Sequence, residues 1–429
     1  MKKRWFVWFT MFAALSLVAA ACAGDEGGDG TGKQPTDGDD PCAADEFGCV
    51  EIAEGDPIQI GTLLVISGEN AALGQDSQNG AVLAGDFRDT PNEIAGHPVE
   101  FNHQDDGCSA EGGQAGATAL AAEPQIVAVI GTSCSSAALG VADTILSEAG
   151  VVIISPSNTG PALTDPATHQ PFYLRTAHND QLQGAAVANF AFNEAGWQSA
   201  STIHDGSPYA DGLQQVFADT FSGLGGTIAR HEAVQVGDTD FKPLLTDLAA
   251  DNIDGLYFPI FVAEGGLITA QARTVPGLGE TELAGSDGMF TPDWIEAAGA
   301  DNAEGVYISG PDLTALADPE FYENEFLPAY QEKFGEEPQS VFHAHSFDAF
   351  NLIADAIEEV AIHEGGTTQI PRTALKDALF AVAESPGIVG NYTANENGDL
   401  LPCATMSVHQ VGGGDFGDPI YSEELCLEG

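Results

Sequence analysis

The chain has 429 residues, 65 of them acidic and 12 basic, for a net charge of −53 at neutral pH. That imbalance excludes nucleic acid and anionic membrane surface as partners. It reads as a solubility device, with a saline habitat as a further hypothesis. Hydrophobic content of 43% is ordinary for a globular protein, and a body of roughly 370 residues after the leader is too large for one small core and points to two lobes.

The first elements are not part of that body. Met1-Lys2-Lys3-Arg4 is followed by an uncharged run from Trp5 to Ala21 and then Cys22, the layout of a secretory signal. The run is short for a membrane span. Ala19-Ala20-Ala21 before Cys22 resembles a bacterial lipobox, with Ala19 where that motif usually has Leu. Residues 1–21 are therefore expected to be removed, and Cys22 to carry lipid. Residues 22–57 are read as a flexible Gly/Asp-rich tether with a Cys42/Cys49 loop, because its anchor-proximal part offers too little apolar area to offset ordering entropy. Gly27 to Lys33 has phosphate-loop spacing, but Gln34 replaces the required Ser or Thr and no strand precedes it.

With Cys22 lipidated, six cysteines remain: Cys42, Cys49, Cys108, Cys134, Cys403 and Cys426. In an exported chain they are best read as three disulfides. Loop length favours Cys42–Cys49, Cys108–Cys134 and Cys403–Cys426 among the possible pairings. A metal site is the rival reading, but no CxxC pair is present and the histidines are scattered.

From residue 58 the pattern alternates short aliphatic runs with amphipathic segments. Strands are expected at 58–66, 99–103, 126–130 and 151–155, with helices at 75–88, 110–122 and 136–149 between them. A second set follows: helix 181–195, strand 201–204, helix 210–224, strand 227–232, helix 241–250, strand 255–259, helix 264–274 and strand 282–286. Strict alternation means parallel sheets covered on both faces. Strand 305–309 precedes helices at 320–334, 345–363 and 372–383, and a Gly/Asn-rich hairpin-like tail runs from 391 to 426. The fold class is α/β, with two doubly wound Rossmann-like lobes whose strand ends face a ligand cleft.

The residues that fill this pattern resemble a known family in order from about 58 to 401. Ile58-Gln-Ile-Gly-Thr-Leu, Leu73-Gly74-Gln75, Asp105-Asp106-Gly107-Cys108 and Cys134-Ser135-Ser136 look like the periplasmic binding proteins (type I) for leucine, isoleucine and valine. Ser155-Pro156-Ser157-Asn158-Thr159, Arg175-Thr176, His204-Asp205 with Tyr209, and Gly285-Ser286-Asp287-Gly288 continue the series. The resemblance implies two lobes joined by three crossovers, near 175–178, 309–312 and 388–392. Lobe 1 would comprise 58–176 plus 310–388, and lobe 2 would comprise 177–309 plus 389–429. It also implies the Cys108–Cys134 disulfide.

For the site, the resemblance implies that Ser135, Ser157, Asn158 and Thr159 hold a carboxylate from lobe 1. Ser135 would sit at a helix N-terminus, where N–H groups and the dipole favour an anion; alternatively it caps that helix. Asp287 of lobe 2 would take an ammonium group, and Tyr209 would line the wall. Leu73 and Phe261 stand where the branched-chain binders place aromatic hydroxyls, so a more apolar pocket is expected. His343, His345 and Asp348 do not share one helix face, so no metal and no cofactor are assigned. No Gly-x-Ser-x-Gly elbow or nucleophile–base set appears, so an enzyme is not expected. The expected function is a monomeric, lipid-anchored, extracytoplasmic solute-binding protein of an ABC importer, with a permease and its ATPase as partners. Its ligand would be a hydrophobic amino acid, amine or amide. A ligand-sensing module of the same fold is the alternative.

Overall fold

The structure, a computed structural model, describes residues 41–427; the signal segment, Cys22 and most of the expected tether lie outside the described residues. Two sheets organise the rest. The first orders its strands as Glu93–Ile94, His97–Asp105, Ile58–Leu64, Ile126–Gly131, Val152–Ser155 and Tyr173–Arg175. All neighbours are parallel except the short Glu93–Ile94 edge. The second runs Pro419–Cys426, Cys403–Gln410, Tyr307–Pro311, Glu282–Gly285, Gly255–Tyr257, Ser199–His204 and Thr227–Ala233. Its five-strand parallel part carries the antiparallel tail hairpin on one edge. This is the expected α/β fold.

Burial explains the strand composition. Every residue of Ile126–Gly131 (IVAVIG) is buried, as a strand covered on both faces requires. Helix Ala71–Asp86 packs on helix His343–Val360 through small residues. A Cβ placed on Gly80 would stand 2.1 Å from the His343 carbonyl oxygen, so only glycine permits that approach. The second sheet is packed around Trp197, Phe217, Phe221, Tyr257 and Trp294.

All three disulfides form as loop length favoured: Cys42–Cys49, Cys108–Cys134 and Cys403–Cys426. Several boundaries differ from the sequence reading. The expected helix 136–149 breaks at Leu139-Gly140, where Gly140 has φ 68°; a three-residue helix Ser135–Ala137 precedes the break and Asp143–Glu148 follows it. The expected helix 345–363 ends at Val360. It is followed by the hairpin Ile362–Glu364 and Thr367–Pro371, turned by Gly365 and Gly366 at φ 64° and 85°, the two positive values that a tight hairpin turn demands. The helix Pro292–Ala298 was not anticipated.

The expected tether 22–57 needs correction in its last part. Cys49–Ala53 pairs antiparallel with Thr367–Pro371. Asp45 accepts from both the Thr373 N–H and hydroxyl at 2.8 Å, and Phe47 meets Phe172 edge-on at 5.0 Å. Val50 and Ile52 are buried, enough apolar area to order this stretch. The third crossing also moves. Leu400 N–H bonds the Arg175 carbonyl, and Thr393 N–H bonds the Leu400 carbonyl, so 391–401 lies against the first lobe. The chain reaches the second sheet at Cys403, so the passage falls at 401–403 rather than at 388–392.

Candidate functional site

The first-lobe wall is built by two loops that leave the sheet side by side. Asp106, fully buried, accepts the Cys108 N–H at 2.7 Å and the Ser133 N–H at 2.6 Å. Its carboxyl and the Cys108–Cys134 disulfide thus tie the same two loops together. Burial pushes this carboxyl up to about 7, against the pull of those N–H bonds.

Ser135 is buried, but it does not cap a helix: Cys134 occupies the N-cap, and the Ser135 hydroxyl accepts the Gly160 N–H at 3.2 Å. The helix it opens is three residues long, so the expected dipole of a long helix is not behind it. Ser157 donates to the Ser133 carbonyl at 3.1 Å. Asn158 Oδ1 accepts from the Thr132 and Tyr173 hydroxyls at 3.0 and 3.3 Å, while its Nδ2 has no partner. The buried Thr159 hydroxyl oxygen also has none.

Across from this wall, the second lobe presents Tyr209, Ser286 and Asp287, all buried. The Tyr209 hydroxyl lies 2.6 Å from the Ser286 hydroxyl and donates to Asp287 Oδ1 at 2.9 Å. Gly288 N–H donates to the Tyr209 oxygen at 3.2 Å. Tyr209 stands on helix Pro208–Leu224, started by the Ser207 cap on the Ala210 N–H and by Pro208. The Phe261 ring leans on Tyr209 at 5.2 Å between centroids. Phe261 also packs against the apolar cluster of Leu73, Val65, Cys134, Ala177, Val341 and Phe342. Leu73 and Phe261 therefore meet in one apolar wall drawn from both lobes.

Sequence reasoning missed three residues here, His178 at the end of the first crossover and Asp180 and Gln183 on the helix that follows it. Gln183 Nε2 donates to Asp287 Oδ1 at 2.8 Å and to the Ser309 hydroxyl at 3.0 Å, and its Oε1 lies 2.6 Å from His178 Nε2. Asp180 is fully buried; its N–H donates to the Thr159 carbonyl at 2.9 Å, yet neither carboxylate oxygen has a hydrogen-bond partner. Donor atoms of His178, Asp180 and Asp287 converge within 4.8 Å. Burial, then the neighbouring Asp287 charge, raises the Asp180 carboxyl far above its usual range, with Arg175 and the Thr159 hydroxyl opposing. Burial pushes Asp287 up to about 6 and His178 down to about 4. Polar residues at 178, 180 and 183 just past a lobe crossing were the available signal.

The other histidine pattern disperses. His343 Nδ1 meets Asp76 at 3.0 Å and its Nε2 meets Tyr322 at 2.8 Å. Asp348 accepts from the Ile388 and Val389 N–H groups and from Tyr392.

Two largely parallel sheets, each with its own set of buried polar groups, make a two-lobed α/β fold. The chain belongs to the periplasmic binding protein family, whose sequence profile matches residues 57–415. It is 28% identical over 350 residues to the Leu/Ile/Val-binding protein BraC3 of Rhizobium johnstonii, covering 80% of this chain and 89% of that one. Among solved structures it resembles the leucine-binding protein LivK of Thermotoga maritima (TM-score 0.73, 26% identity, 86% of this chain and 98% of that one). It also resembles the branched-chain amino acid binding protein LivJ of Streptococcus pneumoniae in complex with isoleucine (TM-score 0.74, 26% identity, 86% and 99%).

Proposed function

We propose that this chain is the extracytoplasmic solute-binding component of an ABC importer and captures a small hydrophobic amino acid, or a related amine or amide, between its lobes. The proposed lobes are 58–176 with 310–401 and 177–309 with 402–429; the Leu400 bond to Arg175 and the pairing of Cys403 into the second sheet support that boundary. Capture proceeds by hinge closure, after which the closed form docks on a permease served by its ATPase. The ligand leaves chemically unchanged. Cys22 supplies the lipid anchor, and residues up to 40 the tether.

One observation carries this reading: the second lobe buries a hydroxyl–carboxylate group (Tyr209, Ser286, Asp287), the first buries the Thr159 hydroxyl, and Phe261 packs against the apolar cluster that holds Leu73. Buried polar groups without partners are costly unless a ligand completes them. Relatives named for leucine, isoleucine and valine support a ligand of amino-acid size. The absence of hydroxyls at Leu73 and Phe261 favours an apolar side chain.

A thermal-shift screen against amino acids, amines and amides tests the proposal. Ligand at 100 times its dissociation constant stabilises by about 2.7 kcal/mol. The response is expected to vanish in Asp287→Ala and to persist in Asp301→Ala, an exposed control. Equal responses in both variants would place the ligand elsewhere.

A further inference from the structure

A cavity of about 340 Å³ borders the apolar cluster of Leu73 and Phe342 through Phe290, Leu313 and Val341. Ser135, Thr159, Tyr209 and Asp287, the groups assigned to solute capture, are not among its lining residues. Phe290 and Phe416 supply its wall from the second lobe, and Leu313, Leu327 and Val341 its wall from the first. The Phe290 ring meets Phe416 at 4.5 Å and His409 at 4.9 Å between centroids. The rings of Pro292, Pro311 and Pro338 add further flat apolar surface. Walls made largely of rings favour an occupant with a planar apolar body.

Most polar side chains around the cavity are already engaged. His343 meets Asp76 at 3.0 Å and the Tyr322 hydroxyl at 2.8 Å. His409 lies 2.9 Å from both the Ser407 hydroxyl and the Gly417 carbonyl. The Thr314 hydroxyl donates to Asp312 and the Gln339 amide to the Glu337 carbonyl, each at 2.6 Å. Ser340 is different: it is 7% exposed, and its hydroxyl has no partner. A buried hydroxyl costs free energy unless something bonds it, and this one can both donate and accept. Charge narrows the choice further. The carboxylates of Glu337 and Asp415 line the cavity and neither Lys nor Arg does, so an anion would meet repulsion without a counter-ion. Both carboxylates belong to exposed residues, so they return little to a cation for the loss of its water.

We propose that this cavity is a second binding site, separate from the capture site, for a small uncharged aromatic molecule with one hydroxyl, a phenol or an aryl alcohol. Its ring lies against Phe290 and Phe416, and its hydroxyl pairs with Ser340. The volume is that of a site for a small organic molecule. The site does not depend on which solute the cleft captures; only its place between two lobes rests on the lobe assignment above.

Isothermal titration of the purified protein with para-cresol, toluene and para-toluate decides the matter. Para-cresol is expected to bind about three- to tenfold more tightly than toluene, the worth of one neutral hydrogen bond, and para-toluate to give no response. Ser340→Ala, checked for folding by its melting profile, is expected to remove the advantage of para-cresol and leave toluene unchanged. Thr314→Trp, which places a large ring at the exposed rim, is expected to abolish binding of both, while Asp287→Ala leaves both intact. No response to para-cresol overturns the proposal, as does para-toluate binding equally well. Para-cresol binding unaltered by Ser340→Ala and Thr314→Trp, or lost in Asp287→Ala, places it elsewhere and overturns the second site. Leucine is titrated alongside: its silence, with para-cresol behaving as expected, counts against the capture reading and leaves this site standing.

Discussion

Arg175 and Asp399 form a buried ion pair of 2.7 Å, with side chains 0% and 4% exposed, that links the last strand of the first sheet to the segment preceding the third crossing. The same guanidinium holds the Asn158 and Gly160 carbonyls, so it also shapes the loop that carries Ser157 to Thr159. Removing one partner leaves a buried charge uncompensated. Asp399→Asn is expected to lower unfolding free energy by about 3–5 kcal/mol in a urea titration. Arg175→Lys is expected to be nearly as harmful, because one ammonium cannot replace a fork that meets four neighbours.

Two neighbours on that loop should separate cleanly. Ser157 spends its hydroxyl on the Ser133 carbonyl, whereas the Thr159 hydroxyl oxygen is buried without a partner. Ser157→Ala is expected to cost about 1 kcal/mol in stability. Thr159→Val is expected to leave the unliganded protein at least as stable and to weaken ligand binding about tenfold. Paired denaturation and titration data on the two variants provide the check.

Tyr209→Phe removes the donor that Asp287 and the acceptor that the Gly288 N–H share. Stability is expected to drop by about 1–3 kcal/mol, because the groups left behind are buried. A variant as stable as the parent would mean that water substitutes for the phenol.

The pH profile follows from buried acids. Burial holds Asp106 near 7 and Asp287 and Asp348 near 6, all above the usual 3.8. Their folded forms bind protons more readily than the unfolded chain, so this contribution to stability is complete below about pH 4 and is lost as pH rises through 6 to 7. His178 and His345 act oppositely: burial lowers them to about 4 and about 3, so their contribution is complete above pH 6.5 and is lost as pH falls. The acids outnumber the histidines, and Asp180 adds to them. The unliganded protein is therefore expected to melt higher at pH 5 than at pH 8. Asp106→Asn should flatten that slope.

The regular parts of the fold were legible because their cause is local. IVAVIG over 126–131 can only be a strand buried on both faces. What escaped depended on one or two residues acting against a pattern. Leu139-Gly140 interrupts an otherwise helical stretch, and Gly365-Gly366 turns a hairpin that looked like the end of a helix. Residues 49–53 became a strand through a partner more than 300 positions away, at 367–371, which no window of sequence contains. In the cleft, Asp287 and Tyr209 were singled out by the ordered resemblance, and the structure brings them within a hydrogen bond of each other. Asp180 could not be picked out from 65 acidic residues; its meaning lies in having no partner once buried.

Gly80 offers a test of the packing argument on its own. Gly80→Ala forces helix 71–86 away from the His343 carbonyl and is expected to cost at least about 1–3 kcal/mol, with a lower melting temperature as the readout.

The disulfide at the root of the tail hairpin bears on how the lobes can travel. Leu400 is hydrogen-bonded to Arg175 on one side of the third crossing, and Cys403 is paired with and bonded to Cys426 on the other. Between them lie Leu401 and Pro402; the ring of Pro402 fixes its φ, and its carbonyl accepts the Leu427 N–H. A strand so tightly clamped at both ends has few torsions left to turn. During the proposed closure the second lobe would sweep an arc instead of wandering through a cone. An open cleft guided along one track surrenders little freedom when it shuts, so more of each ligand contact survives as affinity.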